Sequence, residues 1–328
     1  MSPNVTSCRT IQPDLVAAAT GDASPTAMAR VQQHVAACPP CRREMDRYRS
    51  IDRIVGDIRR TPIVGDRAET LRGDLEWRLA GLRRRAVTAA VWSSPLGPLL
   101  IARSDEGVVA VEYLESARGA VASRLLRRHG IEIIEDGTET EVFYQQLLEY
   151  LAGDRTRLAW PLDFRLAGSD FQREVLKATA ALPYGAVVSY AHLAREIGRP
   201  TATRAVAQAL RHNPLPIVVP CHRVIGSTGA LTGYAGDKLG LKERLLTLEG
   251  VPIAHVKRDG HVVRDTMYMR ADHDTEYCLP TCGSLATLPL WRLTLFGLRE
   301  RAEAAGLAPC TSCRPDLHPI SAQLRISD

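Results

Sequence analysis

Residues 218–226 read VVPCHRVIG. One cysteine, Cys221, stands behind a proline and directly before a histidine, His222, in an apolar run that reads as a buried strand. Three roles for this thiol are open at this point: metal ligand, small packed hydrophobe, or nucleophile. The first lacks a second pair of ligands at suitable spacing nearby. The last needs a base to take the thiol proton. Adjacent residues of an extended chain point to opposite faces, so His222 reaches Cys221 only if the chain turns there. Pro220 and the polar residues after it supply turn chemistry. Glu249, in LLTLEG (245–250), is the candidate carboxylate that would orient the histidine.

The chain around this stretch has 328 residues, which predicts two or three domains. With 45% hydrophobic and 24% charged residues it has the make-up of a globular protein. No apolar run reaches membrane-spanning length, so no membrane association is expected. The opening MSPNVTSCRT lacks the basic and apolar regions of a signal peptide. The expected location is the cytoplasm, with reduced thiols. The net charge of +5 is mild, but only Lys177, Lys238, Lys242 and Lys257 among the 42 basic residues are lysines. A bias that global reads as genomic base composition, so any nucleic-acid argument must rest on local clustering. The eight cysteines fall in three groups: Cys8, Cys38 and Cys41; Cys221 alone; and Cys278, Cys282, Cys310 and Cys313. In a reducing compartment close pairs point to metal more often than to disulfides.

Along the chain, residues 1–60 read as helical, with Met28, Val31, Val35 and Cys38 at helical spacing and CPPC (38–41) as a break. Residues 61–86 are polar and Arg-rich, a linker or exposed helix. From Val87 the pattern becomes short β-like runs with SPLG and SDEG as turns, then a helix over 116–128, a strand at IEIIED and a helix over 139–152. Residues 87–165 are therefore a small α/β unit. Residues 166–252 are mostly helical, and SYAHLAREI and ATRAVAQALRHN, joined by GRPT, read as helix-turn-helix. A short strand-like region near 251–263, turning at RDG, leads to a last unit over 265–320.

Several stretches in order, SPLGPLLIARSDEGVVAVEY, FQREVLKATAALPYGAVVSYAHLA, NPLPIVVPCHRVIGSTGALTGYAG and KERLLTLEG, closely resemble the O6-alkylguanine-DNA alkyltransferases, also called methylated-DNA–protein-cysteine methyltransferases. The resemblance runs from about Val87 to Val251. It implies an RNase H-like α/β subdomain over 87–165 and a winged helix-turn-helix subdomain over 166–252. It implies that Cys221 takes the alkyl group from guanine O6 once and irreversibly, as a thioether. His222 then corresponds to the general base acting through water, Glu249 to the carboxylate behind it, and Tyr190 to the phenol that assists the leaving guanine. Asn213 corresponds to the side chain that braces the active-site turn, and Tyr234 to the loop over the alkyl group. Arg204 corresponds to the arginine that fills the space left by the extruded base, on a helix whose small residues Ala205 and Ala209 allow close approach to the minor groove. Residues 170–225 carry seven Arg/Lys against three Asp/Glu, an excess suited to phosphate. Two departures stand out: Leu176 where the family commonly has Trp, and Asp237 in place of a glycine. The implied partner is duplex DNA containing O6-alkylguanine, and the implied state is monomeric.

The flanking cysteines suggest two zinc ions. Cys278-x3-Cys282 with Cys310-x2-Cys313 favours tetrahedral zinc in a small α/β module. That module resembles the metal-binding domain of Ada-type proteins, which implies Cys278 as an acceptor of methyl groups from phosphotriesters. CGSLATLPLW lacks the basic residues that usually follow, so a purely structural zinc site competes with that role. His34-x3-Cys38 puts two ligands on one helix face, Cys41 follows, and Cys8 completes four. This resembles the zinc-binding anti-sigma fold and implies a sigma factor as a further candidate partner. The expected whole is an α+β multidomain repair protein. Its rival is a non-catalytic, zinc-dependent damage or redox sensor. Cys221 together with His222, Glu249, Tyr190 and Arg204 favours catalysis.

Overall fold

The computed structural model describes residues 8–60, 69–76, 86–115, 123–256 and 259–320. The chain divides into two units, Met1–Arg78 and Leu79–Asp328.

The first unit is helical: α1 (Cys8–Thr20), α2 (Pro25–Ala37), α3 (Pro39–Arg60) and α4 (residues 69–76). Ser24 caps α2, its Oγ accepting from Ala27 N at 3.2 Å, with Pro25 in the first turn where its missing N–H costs nothing. Cys38 is not in the helix as expected. It is the extended residue that ends α2, and the two prolines that follow open α3. Ile11, Leu15, Val31, Cys41 and Met45 form a small core. Within the stretch expected as linker or exposed helix, residues 69–76 are helical and exposed; the rest lies outside the described residues.

In the second unit a four-stranded sheet has the order β3-β2-β1-β4, from β1 (Ala86–Trp92), β2 (Leu99–Arg103), β3 (Val108–Tyr113) and β4 (Glu132–Glu135). β1 to β3 are antiparallel, and β4 is parallel to β1. Strand alternation splits β2 between two cores. Leu99 and Ile101 join Leu147 and Tyr150 of α6 (Glu141–Ala152), while Leu100 and Ala102 pack with Leu126 of α5 (Arg124–Arg128). Of the helix expected over 116–128, Ser123 caps the last five residues and 116–122 lie outside the described residues.

The helix-turn-helix follows α7 (Asp170–Ala180) and β5 (Ala186–Ser189). It comprises α8 (Tyr190–Glu196) and α9 (Thr203–Arg211), with Gly198 at φ +71° ending α8 in a conformation that suits glycine. Leu176 of α7 is fully buried. The apolar run before Cys221 is not a strand. Residues 216–218 form a turn, Ile217 has φ +73°, and only Val224–Ile225 (β6) pair, parallel to β5. α10 (Leu239–Leu248) then leads to a hairpin of β7 (Ala254–Val256) and β8 (Asp259–His261). Asp259 and Gly260, expected as the turn, already belong to β8.

The cysteine-rich stretch is not a separate body. It contributes β9 (Tyr268–Ala271), β10 (Glu276–Tyr277), β11 (Leu293–Phe296), α11 (Arg299–Ala304) and β12 (Ala308–Pro309). β11 pairs antiparallel with both β9 and β5, giving one sheet of order β6-β5-β11-β9. Val187, Ile225, Leu246 and Val251 share a core with Met267, Met269, Cys278 and Cys310. A division at 252 and 265 therefore runs through one sheet and one core.

Candidate functional site

Cys221 opens a single 3-10 turn, Cys221–Arg223, and is 7% exposed. Asn213 braces that turn. Its Nδ2 donates to Val219 O at 2.9 Å and to Cys221 Sγ at 3.2 Å, and its Oδ1 accepts from Leu215 N at 2.9 Å. One amide thus ties both ends of a loop that holds Ile217 at a φ a β-branched residue rarely adopts. Burial raises the Cys221 thiol above its ordinary value, opposed by the Asn213 hydrogen bond and the positive charge of Lys242.

The turn sends His222 inward. Its Nε2 hydrogen-bonds Glu249 Oε1 at 2.7 Å, both side chains fully buried. Its Nδ1 is buried with no hydrogen-bond partner among the described residues. Glu249 ends α10 and gathers further donors: Arg223 Nε at 2.8 Å, Arg223 Nη2 at 2.9 Å, Gly185 N at 2.9 Å and the Tyr150 hydroxyl. Burial alone would raise the Glu249 carboxyl, but Arg223 and His222 outweigh it and hold it well below the usual carboxylate range. Burial lowers the His222 imidazole, opposed by Glu249. The geometry is a neutral histidine oriented by an ionised carboxylate, with one ring nitrogen left for a proton.

Tyr190 begins α8 behind its cap Ser189, and its hydroxyl lies 3.4 Å from Thr232 O. Lys242 is fully buried; Nζ donates to Val224 O at 2.6 Å and Thr232 O at 2.9 Å and sits 5.9 Å from the Tyr190 ring centroid. Burial brings Lys242 down to about 8. The Tyr234 hydroxyl shares a hydrogen bond of 2.9 Å with Tyr113, and burial pushes both phenols up. Tyr150, Arg223, Gly185, Tyr113 and Lys242 were not anticipated. Lys242 was findable, since it precedes Glu249 by two helical turns. Tyr150 was not, because 99 residues separate it from Glu249.

The expected DNA-facing residues divide. Arg204 and Ala205 are exposed on α9. Ala209 faces inward at 9% exposure, and its carbonyl accepts from Gln172 Nε2. Tyr234 is 3% exposed. Placement on the inner side of α9 removes Ala209 from a direct groove contact in this conformation.

Residues 87–164 match the profile of the 6-O-methylguanine DNA methyltransferase ribonuclease-like domain, and 170–251 that of its DNA-binding domain. A methylated-DNA–protein-cysteine methyltransferase of Methanosarcina acetivorans is 40% identical over 167 residues, 49% of this chain and 97% of that protein. The chain belongs to the methylated-DNA–protein-cysteine methyltransferase family. A methyltransferase of this name from Mycobacterium tuberculosis is 51% identical over 156 residues, 48% of this chain and 88% of that protein. A solved O6-methylguanine methyltransferase from the same organism aligns at 40% identity and TM-score 0.43, covering 50% of this chain and 92% of that one. Residues 8–42 match a putative zinc finger. The methyltransferase match leaves 252–320, with its four cysteines, outside both family domains.

Two four-residue sets fit a metal ion. The ligand atoms of Cys8, His34, Cys38 and Cys41 all lie within 4.8 Å of one another, as do those of Cys278, Cys282, Cys310 and Cys313. Cys8 Sγ and Cys38 Sγ are 3.8 Å apart, the spacing of two thiolates on one tetrahedral zinc. Among the described residues no helix is long and apolar enough to cross a membrane.

Proposed function

We propose that this chain repairs duplex DNA by moving the alkyl group of O6-alkylguanine onto Cys221 Sγ. The observation that carries it is the pair of buried links Asn213–Cys221 and His222–Glu249–Arg223, in which the histidine that follows the thiol in the chain has Nε2 held by a carboxylate and Nδ1 without a hydrogen-bond partner among the described residues. The thiol proton passes by way of water to His222 Nδ1. Sulfur attacks the alkyl carbon, the S–C bond forms as the C–O6 bond breaks, and the electron pair goes to the guanine. Tyr190 donates toward the ring as charge builds, and the proton taken from the thiol, returned from His222 by way of water, restores neutral guanine. The thioether has no easy reverse, so one molecule repairs one lesion. Arg204, exposed near the start of α9, occupies the space of the extruded nucleotide.

Mixing the protein with DNA containing O6-methylguanine and weighing the intact chain tests this. The expected gain is one methyl, absent in Cys221→Ser. No gain on folded protein overturns it.

Each four-ligand set would hold one zinc, which closes its loop and stabilises the fold around it; metal analysis should return two zincs per chain. Cys278 is read as a second acceptor, for phosphotriester methyl groups. A second methyl on Cys278 with such DNA supports this, and none makes its site structural. A sigma-factor contact by the first unit follows from its anti-sigma resemblance, and Ile51, Ile54 and Val55 of α3, exposed at helical spacing, offer an apolar face for it. Co-purification of the full chain with sigma factors, lost on Ile54→Glu, is the check. The chain is read as a cytoplasmic monomer.

A further inference from the structure

The catalytic carboxylate is set by two backbone stretches, and one segment of the cysteine-rich stretch sits on both. Tyr184–Ala186 presents the Gly185 N–H that donates to Glu249 Oε2 at 2.9 Å. Glu249–Val251 carries the carboxylate itself. Across from them, β11 ends at Phe296, paired with Ala186, and runs through Gly297 and Leu298 into α11. The contacts leave no slack. A Cβ on Gly297 would lie 2.0 Å from Gly250 O and 2.9 Å from Val251 Cα. A Cβ on Gly250 would lie 2.5 Å from Leu298 Cδ1. A Cβ on Gly185 would lie 2.8 Å from Arg301 Cγ and 2.9 Å from Glu249 O. The Arg301 guanidinium lies over Tyr184, 4.5 Å from the ring centroid, and Tyr184 donates to Leu248 O at 3.3 Å. Gly297 thus lets its backbone touch that of Gly250 and Val251, Gly185 admits the Arg301 stem and the Glu249 carbonyl, and Gly250 admits the Leu298 side chain.

We propose that Gly297, Leu298 and Arg301 are positioning residues for alkyl transfer: they press the Gly185 and Glu249–Gly250 backbones together and so fix the carboxylate that orients His222. This rests on the reading of Glu249 and His222 given above. The residues doing the pressing lie outside both matched methyltransferase domains, so in this chain the cysteine-rich stretch is part of the repair site. Their contribution passes through Glu249, whose carbonyl and neighbouring backbone they contact through Gly185, Gly250 and Val251.

The test uses the full chain in four variants, Gly297→Ala, Arg301→Ala, Arg301→Met and Glu249→Gln. It reads the alkyl-transfer rate constant, the affinity for alkylated DNA, and the downfield NMR signal of the His222 ring proton bonded to Glu249. A sub-ångström shift of a catalytic group costs roughly tenfold or more. Gly297→Ala and Arg301→Ala are expected to slow transfer by about that factor and move the His222 signal, with DNA affinity held. Arg301→Met, which keeps the stem over Gly185, is expected to restore most of the rate. Unchanged transfer in both Gly297→Ala and Arg301→Ala overturns the proposal, as does a parallel loss of rate, affinity and folded signal. If Glu249→Gln itself transfers at the parent rate, the catalytic reading of Glu249 falls, an outcome distinct from failure of the positioning residues alone.

Discussion

Glu249 shows how one residue can serve stability and chemistry together. A fully buried carboxylate is costly unless it is paired and hydrogen-bonded. Here Arg223, His222, Tyr150 and the Gly185 amide all converge on it. Replacing it with the amide in Glu249→Gln leaves the Arg223 guanidinium, 7% exposed, without a counter-charge. The expected loss is about 3–5 kcal/mol, read from urea unfolding. Acid should act on the same group. The folded carboxyl binds a proton less readily than the unfolded one, so its contribution is whole above the ordinary value of about 4.3 and falls away as pH drops below it. Transfer has a different window. Burial lowers His222, so the imidazole stays neutral and able to accept a proton until the pH is below the ordinary value of about 6.5. The rate constant, measured by quenched single-turnover assays, should be level through neutrality and decline only under that value. The pair Cys221–His222 was legible from nine residues of sequence. Arg223 stood beside it, yet nothing local said that its charge would point at Glu249.

Among the elements, α8 and α9 carry the recognition argument. Ser189 ends β5 and caps α8, its Oγ accepting from His192 N at 3.1 Å. Ser189→Ala should cost about 1 kcal/mol. Because Tyr190 is the next residue, transfer should slow as well, a joint effect read from the urea midpoint and the single-turnover rate. Arg204→Ala isolates a different step. With duplex substrate the rate should drop roughly tenfold, about 1.4 kcal/mol, if Arg204 offsets part of the unstacking cost as proposed. With the free O6-alkylguanine base it should hold, because nothing has to be extruded. Both helices were readable from GRPT and the apolar spacing on either side. The run before Cys221 was not. Its valines and isoleucine carry strand propensity, but Asn213 binds the loop at both ends and draws Ile217 into a left-handed turn. Tertiary hydrogen bonding overrode local preference there.

For the molecule as a whole, the two four-residue sets that fit a metal lie in different units, and if each holds the proposed zinc its removal should have different consequences. The first unit has a core of only a few side chains, so loss of metal from Cys8, His34, Cys38 and Cys41 should unfold it while transfer at Cys221 continues. Loss from Cys278, Cys282, Cys310 and Cys313 should destabilise the second unit and slow transfer, because β11 is a strand of the active-site sheet. Cys38→Ser and Cys310→Ser, compared by circular dichroism and transfer rate, separate the two cases. The amino-acid sequence by itself determined the grouping of the cysteines, the helix-turn-helix, and Cys221, His222 and Glu249 as a candidate set, because motif spacing and helical periodicity are local properties of the chain. Only the tertiary structure decided that Tyr150 reaches Glu249 across 99 residues, that Ala209 faces inward, and that the last cysteine group shares a sheet with the repair site. Those outcomes depend on which surfaces meet when apolar area is buried, and the pairing of β11 with β5 is a long-range choice that no window of the sequence contains.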